Sequence, residues 1–390
     1  MTVMSGMDRR EFLMGTAASA IVLWSNKSCS EVAEPAGAPE ASPTDDTRLM
    51  LLRYAILAPN PHNAQSWQVE LTGENGMRLL VDRSRLLPFS DPPARQVHIG
   101  QGTFLELLEM AARQHGYRSD MVYFPDGEYS NAVVEDRPVA AVTFALDAKA
   151  SPDPLFAEIS RRVSIKRPFE DDRTISESDR KALQASVHPD GIFRMTQSRE
   201  QTQELARLCR EAMEVEVSSR ARDRETAAWF RFSDWELAEK RDGFGLAQNG
   251  VTGARKWLAE HVQLSREQAA DPGSSFARGA ITMAWEQAAS ASAFAALVGT
   301  ANTRLEQVLM GRAYARIHLT ATRLGLAMQP MSQLLEEYPE MSGLQQRMKS
   351  VLGIGSGQTV QMLFRLGYAR PTAHSPRRDV RSLIRQQVRS

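Results

Sequence analysis

The sequence predicts an α+β protein built as two related halves in one chain, a pseudo-dimer with central antiparallel-rich sheets flanked by helices. Three observations carry this expectation. Helical and strand-like apolar periodicities alternate through residues 47–380. Gly102 and Gly116 stand fourteen residues apart around an apolar helix, and Gly311 and Gly325 repeat that spacing around a second one, each followed by a short strand and later by a longer one. Finally, two polar segments of unusual composition, 58–67 and 161–169, fall in different halves.

Composition narrows the function classes. The chain has 390 residues, 42% of them apolar and 24% charged, which suits a soluble globular protein with a sizeable core. Lysine plus arginine equals aspartate plus glutamate at 47 each, so no global charge points to nucleic acid. Two cysteines, Cys29 and Cys209, build neither a disulfide framework nor a thiolate cage. The seven histidines contain no HExxH pair, and no metal site is expected.

The N-terminus carries an address. Asp8-Arg9-Arg10-Glu11-Phe12-Leu13 precedes the apolar run Met14 to Trp24, too short for a membrane span of about 20 residues. The arginine pair with Phe12-Leu13 resembles a twin-arginine signal, which predicts export through the twin-arginine machinery to a periplasmic or cell-envelope location. Residues 1–30 are expected to be this signal and 31–46 an Ala/Pro/acidic linker, with no stable membrane span in the mature chain. Cys29 follows Asn26-Lys27-Ser28, a poor lipidation site.

The elements follow in order. Leu49, Leu52 and Ile56 give Thr47 to Leu57 a helical apolar face, capped by Asp45 or Asp46 and stopped by Ala58-Pro59-Asn60-Pro61. Gln68–Leu71 and Met77–Val81 flank Gly73-Glu74-Asn75-Gly76 as a hairpin. A helix is expected between Gly102 and Gly116, then strands at Met121–Phe124 and Val139–Leu146. This first half (47–150) ends in the linker-like Asp147–Pro154. The second half (151–380) should hold helices at 155–163, 176–187, 199–218 and Thr303–Leu324, and strands at Leu326–Met328 and Thr359–Leu366. A Trp-rich insert at 219–300 contains Trp229, Trp235, Trp257 and Trp285, and residues 381–390 form a basic tail.

Three segments carry chemistry. In 58–67 two prolines stiffen a loop bearing His62, Asn63 and Gln65, a donor and acceptor set that suits a flat heteroaromatic ligand; an ordinary helix-stop loop has the same composition. In Arg161-Arg162-Val163-Ser164-Ile165-Lys166-Arg167, an extended backbone puts Arg162, Ser164 and Lys166 on one face, as a phosphate and an electron-rich ring edge require; a solvated basic helix end reads the same way. The pair Arg377-Arg378 either folds back onto a phosphate or belongs to a solvated tail.

Together these segments resemble the nitroreductase family. Residues 58–67 resemble its "AP-S-x-x-N-x-Q-P-W" loop, and Arg162-Val163-Ser164-Ile165-Lys166 its "R-x-S-x-R/K" signature. Leu324-Gly325-Leu326-Ala327-Met328-Gln329-Pro330-Met331 and Gln361–Tyr368 resemble its later helix end and last strand. The order, loop first and signature second, is similar to the tandem single-chain subgroup typified by the mycobacterial Acg protein, and implies one complete FMN site per chain. The resemblance implies that Arg162, Ser164, Arg377 and Arg378 hold the phosphate and ribityl chain, and that Lys166 faces the pyrimidine edge. Pro61, His62 and Asn63 would come from the other half, and backbone around Gln329, Pro330 and Met331 would approach the ring near N5. Chemistry would occur at FMN N5, with no catalytic side chain and no metal. The implied activity is two-electron reduction of a nitroaromatic, quinone or similar small-molecule acceptor, with NAD(P)H or a quinol as donor and no nucleic-acid partner. The alternative is an exported flavin-binding or sequestering protein whose lid blocks NAD(P)H. Two departures from the pattern matter: Ser66 replaces a proline, which predicts a looser loop, and the insert places Trp229, Phe230, Phe232 and Trp235 as a lid or a helical core, with Asp242-Gly243-Phe244-Gly245 and Asn249-Gly250 as hinges.

Overall fold

The structure, a computed structural model, describes residues 46–170, 173–187, 191–253, 256–257 and 266–385. The expected signal, the linker up to residue 45, and His188-Pro189-Asp190 lie outside them. The first half runs α1 (Thr47–Ala55), β1 (Trp67–Thr72), β2 (Gly76–Val81), α2 (Arg95–Gln114), β3 (Tyr117–Tyr123) and β4 (Ala140–Leu146). The second runs α3 (Glu177–Ala185), β5 (Ile192–Thr196) and α4 (Arg199–Val217), then an insert of α5 (Arg220–Trp229), α6 (Asp234–Lys240), α7 (Arg266–Ala269) and α8 (Ser275–Ala289). It closes with β6 (Ala293–Gly299), α9 (Arg304–Arg323), β7 (Ala327–Pro330), α10 (Ser342–Leu352) and β8 (Thr359–Gly367). Each half contributes one four-stranded sheet, β1-β2-β4-β3 and β5-β6-β8-β7, antiparallel throughout. The same order is thus drawn twice.

Strand composition follows burial. β1 faces the core with Trp67 and Val69 and leaves Gln68 and Glu70 half-buried. β6 is buried at every position because both its faces are covered. Phe294, Ala296 and Val298 meet Leu205 and Cys209 of α4 and Met348 of α10, while Ala293, Ala295 and Leu297 meet Ala313 and Ile317 of α9.

The halves join through α2 and α9, each of 20 residues and each with glycine as its eighth. A Cβ on Gly102 would lie 1.9 Å from the Val308 carbonyl oxygen, and one on Gly311 would lie 2.0 Å from that of Ile99. The helices therefore cross in backbone contact at positions only glycine fits. Two residues beyond each helix, Gly116 and Gly325 take positive φ (79° and 70°) and turn the chain into the next strand.

Several segments differ from expectation, among them α2 and β3, which start earlier than expected, at Arg95 and Tyr117. Only Phe156–Glu158 is helical in 155–163, and as a 3-10 turn. Leu155 and Ile159 are buried there, and the chain then straightens so that Ile165 N donates to Met328 O at 3.1 Å, along β7. Residues 381–385 are not a solvated tail: Val380–Leu383 form a 3-10 turn, Ile384 bridges Val69, and Arg385 pairs with Asp136 at 2.8 Å.

The insert docks on the first half. Glu225 accepts from Phe89 N (3.2 Å) and Ser90 N (2.7 Å), and Asp242 lies between Arg85 (2.9 Å) and Arg231 (2.5 Å). Beneath it, Glu216, Asp91 and Glu336 are buried near one another. Burial, with neighbouring carboxylates adding, raises Glu216 to about 7 and pushes Glu336 well up; burial, with Glu337 adding, takes Asp91 to about 6 against its hydrogen bond from Val97 and the Arg95 charge. The folded chain holds protons that the unfolded chain has released, so this contribution to stability is lost as pH rises through about 7. Glu216→Gln is expected to gain stability relative to the parent as pH rises from about 5 to about 8, read from urea denaturation midpoints across pH. A constant difference across that range would show that Glu216 is ionised throughout.

Candidate functional site

The polar loop after α1 is held in a conformation that side chains rarely adopt. His62, Asn63 and Gln65 have φ of 52°, 51° and 53°, a left-handed backbone that costs free energy and needs compensation. Asn60 Oδ1 accepts from Gln65 N at 2.8 Å, and Asn63 Nδ2 donates to Gly243 O (2.9 Å) and Pro376 O (3.1 Å). Gln65 Nε2 donates to Arg241 O at 2.9 Å, while its Oε1 accepts from Arg378 N at 2.8 Å. Ser66 does not loosen the loop. Its hydroxyl donates to Arg85 O at 2.6 Å and its carbonyl accepts from Gln101 Nε2 at 2.7 Å, bonds that replace the stiffness of a proline.

The 162–166 segment is extended, and its side chains alternate. Ile165 packs with Phe169 and Ala327, while Arg162 and Lys166 face the other way, toward the loop. Arg162 Nη2 donates to Leu57 O at 2.8 Å, and Arg377 Nε donates to Ile56 O at 2.7 Å. Two guanidinium groups thus meet the carbonyl end of α1, where the helix dipole favours cations. Arg377 Nη1 also donates to Asn63 Oδ1 at 2.8 Å.

These arginines belong to a larger cationic group. His374 and the buried Tyr314 and His318 of α9 share it. Burial draws Arg162 down to about 10. Burial and then the Arg162 charge draw Arg377 to about 9, and burial with both arginines holds His374 near 4. His318 is likewise kept neutral by burial and Arg162. None of the charges that shift these four groups is a carboxylate. Arg162 Nε, the Tyr314 hydroxyl and His318 Nδ1 are buried without a hydrogen-bond partner among the described residues. A desolvated positive group with unused polar atoms and no carboxylate partner among the described residues is arranged for an anion rich in acceptors, as a phosphate is.

Lys166 lies farther along the same face. Its Nζ sits 4.7 Å from the centre of the Phe244 ring, and Phe244 is 5.6 Å from the His62 ring. Burial brings Lys166 to about 8 and, with the Lys166 charge, His62 to about 4, so near neutral pH the lysine is mostly charged and the histidine is not. The lysine's backbone is set by Arg365, fully buried beneath it. That guanidinium donates to Gln329 Oε1 (2.8 Å), Gln287 O (2.5 Å) and Arg167 O (2.6 Å), and lies 3.6 Å from the Phe169 ring centre.

The fold therefore brings Asn63, Arg162, Arg377 and Arg378 to the loop, and His62 and Lys166 to Phe244. Ser164 lies between the two arms, its carbonyl accepting from Thr372 at 3.4 Å. Gln329 is occupied with Gln287 (2.8 Å) and Arg365, and Pro330 pairs with Phe364 at the end of β7. Met331 places its side chain in the core beneath the second sheet, and its N–H donates to Leu363 O at 2.8 Å.

Tyr314, His318 and His374 were not singled out by sequence reasoning. Their only signal was the one-turn spacing of Tyr314 and His318 on a predicted helix. In the insert, Phe244 reaches the site instead of the tryptophans. Phe230 packs edge-on to Phe232, Phe244 and Phe276, while Trp235 and Trp257 are exposed. The Asp242–Gly243 segment is a clamp and not a hinge, since Gly243 exchanges two hydrogen bonds with Asn63.

Among the described residues no cluster of His, Cys, Asp or Glu could hold a metal ion, and no helix is long and apolar enough to cross a membrane. No protein-family model and no curated protein matches this chain. The solved structures similar to it include FMN-containing nitroreductases. Among them are a Bacteroides fragilis nitroreductase with bound FMN (14% identity, 55% of this chain and 88% of that one, TM-score 0.30) and the FMN- and NADPH-dependent nitroreductase NfnB of Sphigopyxis sp. strain HMH (14%, 60% and 99%, 0.34). The Mycobacterium smegmatis NfnB in complex with NADPH is a third (15%, 59% and 96%, 0.33).

Proposed function

We propose that this chain is an FMN-binding, nitroreductase-like oxidoreductase in which two related halves form a pseudo-dimer with one flavin site. The observation that carries the reading is the carboxylate-free cationic group around Arg162, with its unpartnered buried nitrogen and oxygen atoms. Arg162, Tyr314, His318 and Arg377 would hold the phosphate, Ser164 the ribityl chain, and Lys166, His62 and Asn63 the ring edge. FMN when bound supplies two-electron transfer to a nitroaromatic, quinone or similar acceptor. The protein's part is to orient the ring, exclude water, and keep a cation at Lys166 where electron density accumulates. The doubled strand order and the glycine crossing support the pseudo-dimer.

A second reading is favoured by Phe244, which lies against Lys166 and His62 where a ring edge would sit. In that reading the clamped insert keeps NAD(P)H or a quinol out and the chain sequesters flavin. We also propose export by the twin-arginine route to the periplasm or cell envelope, on the strength of Arg9-Arg10. Titration of FMN into the purified chain, followed by flavin fluorescence, is expected to saturate at one FMN per chain. No binding would remove both readings. Bleaching of the bound flavin by anaerobic NADPH would favour the reductase, and bleaching by dithionite but not NADPH the sequestering protein or a donor other than NAD(P)H.

A further inference from the structure

One helix joins the buried acids beneath the insert to the site. The first turns of α5 lie over a junction where Asp223 faces Glu216 of α4, and Glu216 in turn faces Glu336, beside Asp91 of the first half. All four are more than nine-tenths buried. Glu216 Oε2 and Asp223 Oδ2 have no hydrogen-bond partner among the described residues. Glu216 is otherwise held by Gln333, and Glu336 Oε1 accepts from Gln96 Nε2 at 2.8 Å. The cations that face Glu216, Asp223 and Glu336 are engaged elsewhere: Arg222 with Val215 O (3.0 Å), Glu340 (3.4 Å) and the Tyr338 ring (3.6 Å), Arg95 with Val360 O (2.8 Å) and Leu335 O. The other charges at the junction are acids, Glu225 beside Glu216 and Asp271 beside Asp223.

The last turn of the same ten-residue helix reaches the site. Thr226 Oγ1 lies 3.5 Å from His62 Nε2, Trp229 O accepts from Phe244 N at 3.1 Å, and Arg231 N donates to Phe244 O at 2.8 Å. Phe244, which covers Lys166, is therefore carried by the chain leaving α5. Buried carboxyls this close cannot all ionise, so the docked helix holds protons on them. Burial, with Asp271 adding, raises Asp223 to about 6; burial, with Asp223 and Glu225 adding, raises Glu216 to about 7. We propose that α5 is a lid governed by protons: while Glu216, Asp223 and Glu336 hold them it stays docked, and when they are lost it lifts and draws Phe244 off Lys166. Ionised, the carboxyls repel one another and gain hydration once the helix lifts, so opening grows with pH. The two bonds between Gly243 and Asn63 oppose the movement and keep the site closed in acid. That Phe244 then uncovers a flavin edge rests on the flavin reading above; the movement itself does not.

The test is hydrogen exchange of the flavin-free full chain, read by mass spectrometry across pH and corrected for intrinsic exchange. From about pH 6 to about pH 8 the amides of 221–232 and 243–245 are expected to lose protection together, about tenfold, while β6 stays at least about a hundredfold better protected than α5 throughout. Glu216→Gln/Asp223→Asn should flatten the profile and keep the helix closed at about pH 8. Glu239→Gln, at an exposed position of α6, should leave it unchanged. Protection of α5 that does not vary with pH, or α5 exchanging no faster than β6, would overturn the lid. So would a double variant with a profile as steep as the parent's; if that variant does not fold, the parent profile decides alone. FMN titration of the same chain separates this proposal from the flavin reading. Protection lost with rising pH but no FMN binding would leave the lid and remove the flavin, and FMN binding with a flat profile would do the reverse.

Discussion

Gly102→Ala and Gly311→Ala are each expected to destabilise the chain by roughly 2 kcal/mol or more. The added methyl group would fall about 2 Å from a carbonyl oxygen of the facing helix, and because both sides of the contact are backbone, no rotamer change relieves it. The helices must separate, which loosens packing along their whole contact. Alanine's better helix propensity returns about 1 kcal/mol and does not offset this. Gly279 in α8 is the control: nothing lies within 4 Å of its would-be Cβ, so Gly279→Ala should be neutral or stabilising. One separation relieves both clashes, so the double variant Gly102→Ala/Gly311→Ala should cost less than the sum of the single changes. Chemical denaturation measures all four; additive losses would mean that the two contacts are independent.

Arg162→Gln is expected to weaken FMN binding about a hundredfold, close to 2.7 kcal/mol, through loss of a desolvated charge-assisted contact. The shorter amide gives up the bond to Leu57 O, but Arg377 Nη2 still donates to that carbonyl at 3.3 Å, so the loop keeps its anchor. The flavin-free variant should be no less stable than the parent, and more stable by on the order of 1 kcal/mol, because a buried cation beside Arg377 is removed. A purely structural arginine would give the opposite pair of results: lower stability and unchanged FMN affinity. Flavin titration and denaturation of the same preparation separate the two roles.

Much of this was legible in the residues. Local periodicity located β1, β2, β4, α4, α9 and β8 to within a residue or two, because each has a covered face and a clear stop. The spacing of Gly102 and Gly116 with Gly311 and Gly325 pointed to paired helices. That the first member of each pair lies at a crossing and the second at a turn is tertiary information. The expected helix at 155–163 failed because Ile165 hydrogen-bonds along β7, a long-range pairing that outweighs local propensity. At the site, Arg162, Lys166, Asn63 and Arg377 were readable as motif residues. Tyr314, His318 and Phe244 were not, since each joins the group only through helix packing or a loop that returns across the chain.

The central claim is that the group around Arg162 is a phosphate cradle. The most direct test compares FMN with riboflavin, which carries the same ring without the phosphate, by fluorescence titration of the full chain at fixed salt. The account predicts that FMN binds at least a hundredfold tighter and that Arg162→Gln abolishes most of this difference. Equal affinities for the two flavins, or a preference for FMN that survives Arg162→Gln, would contradict it.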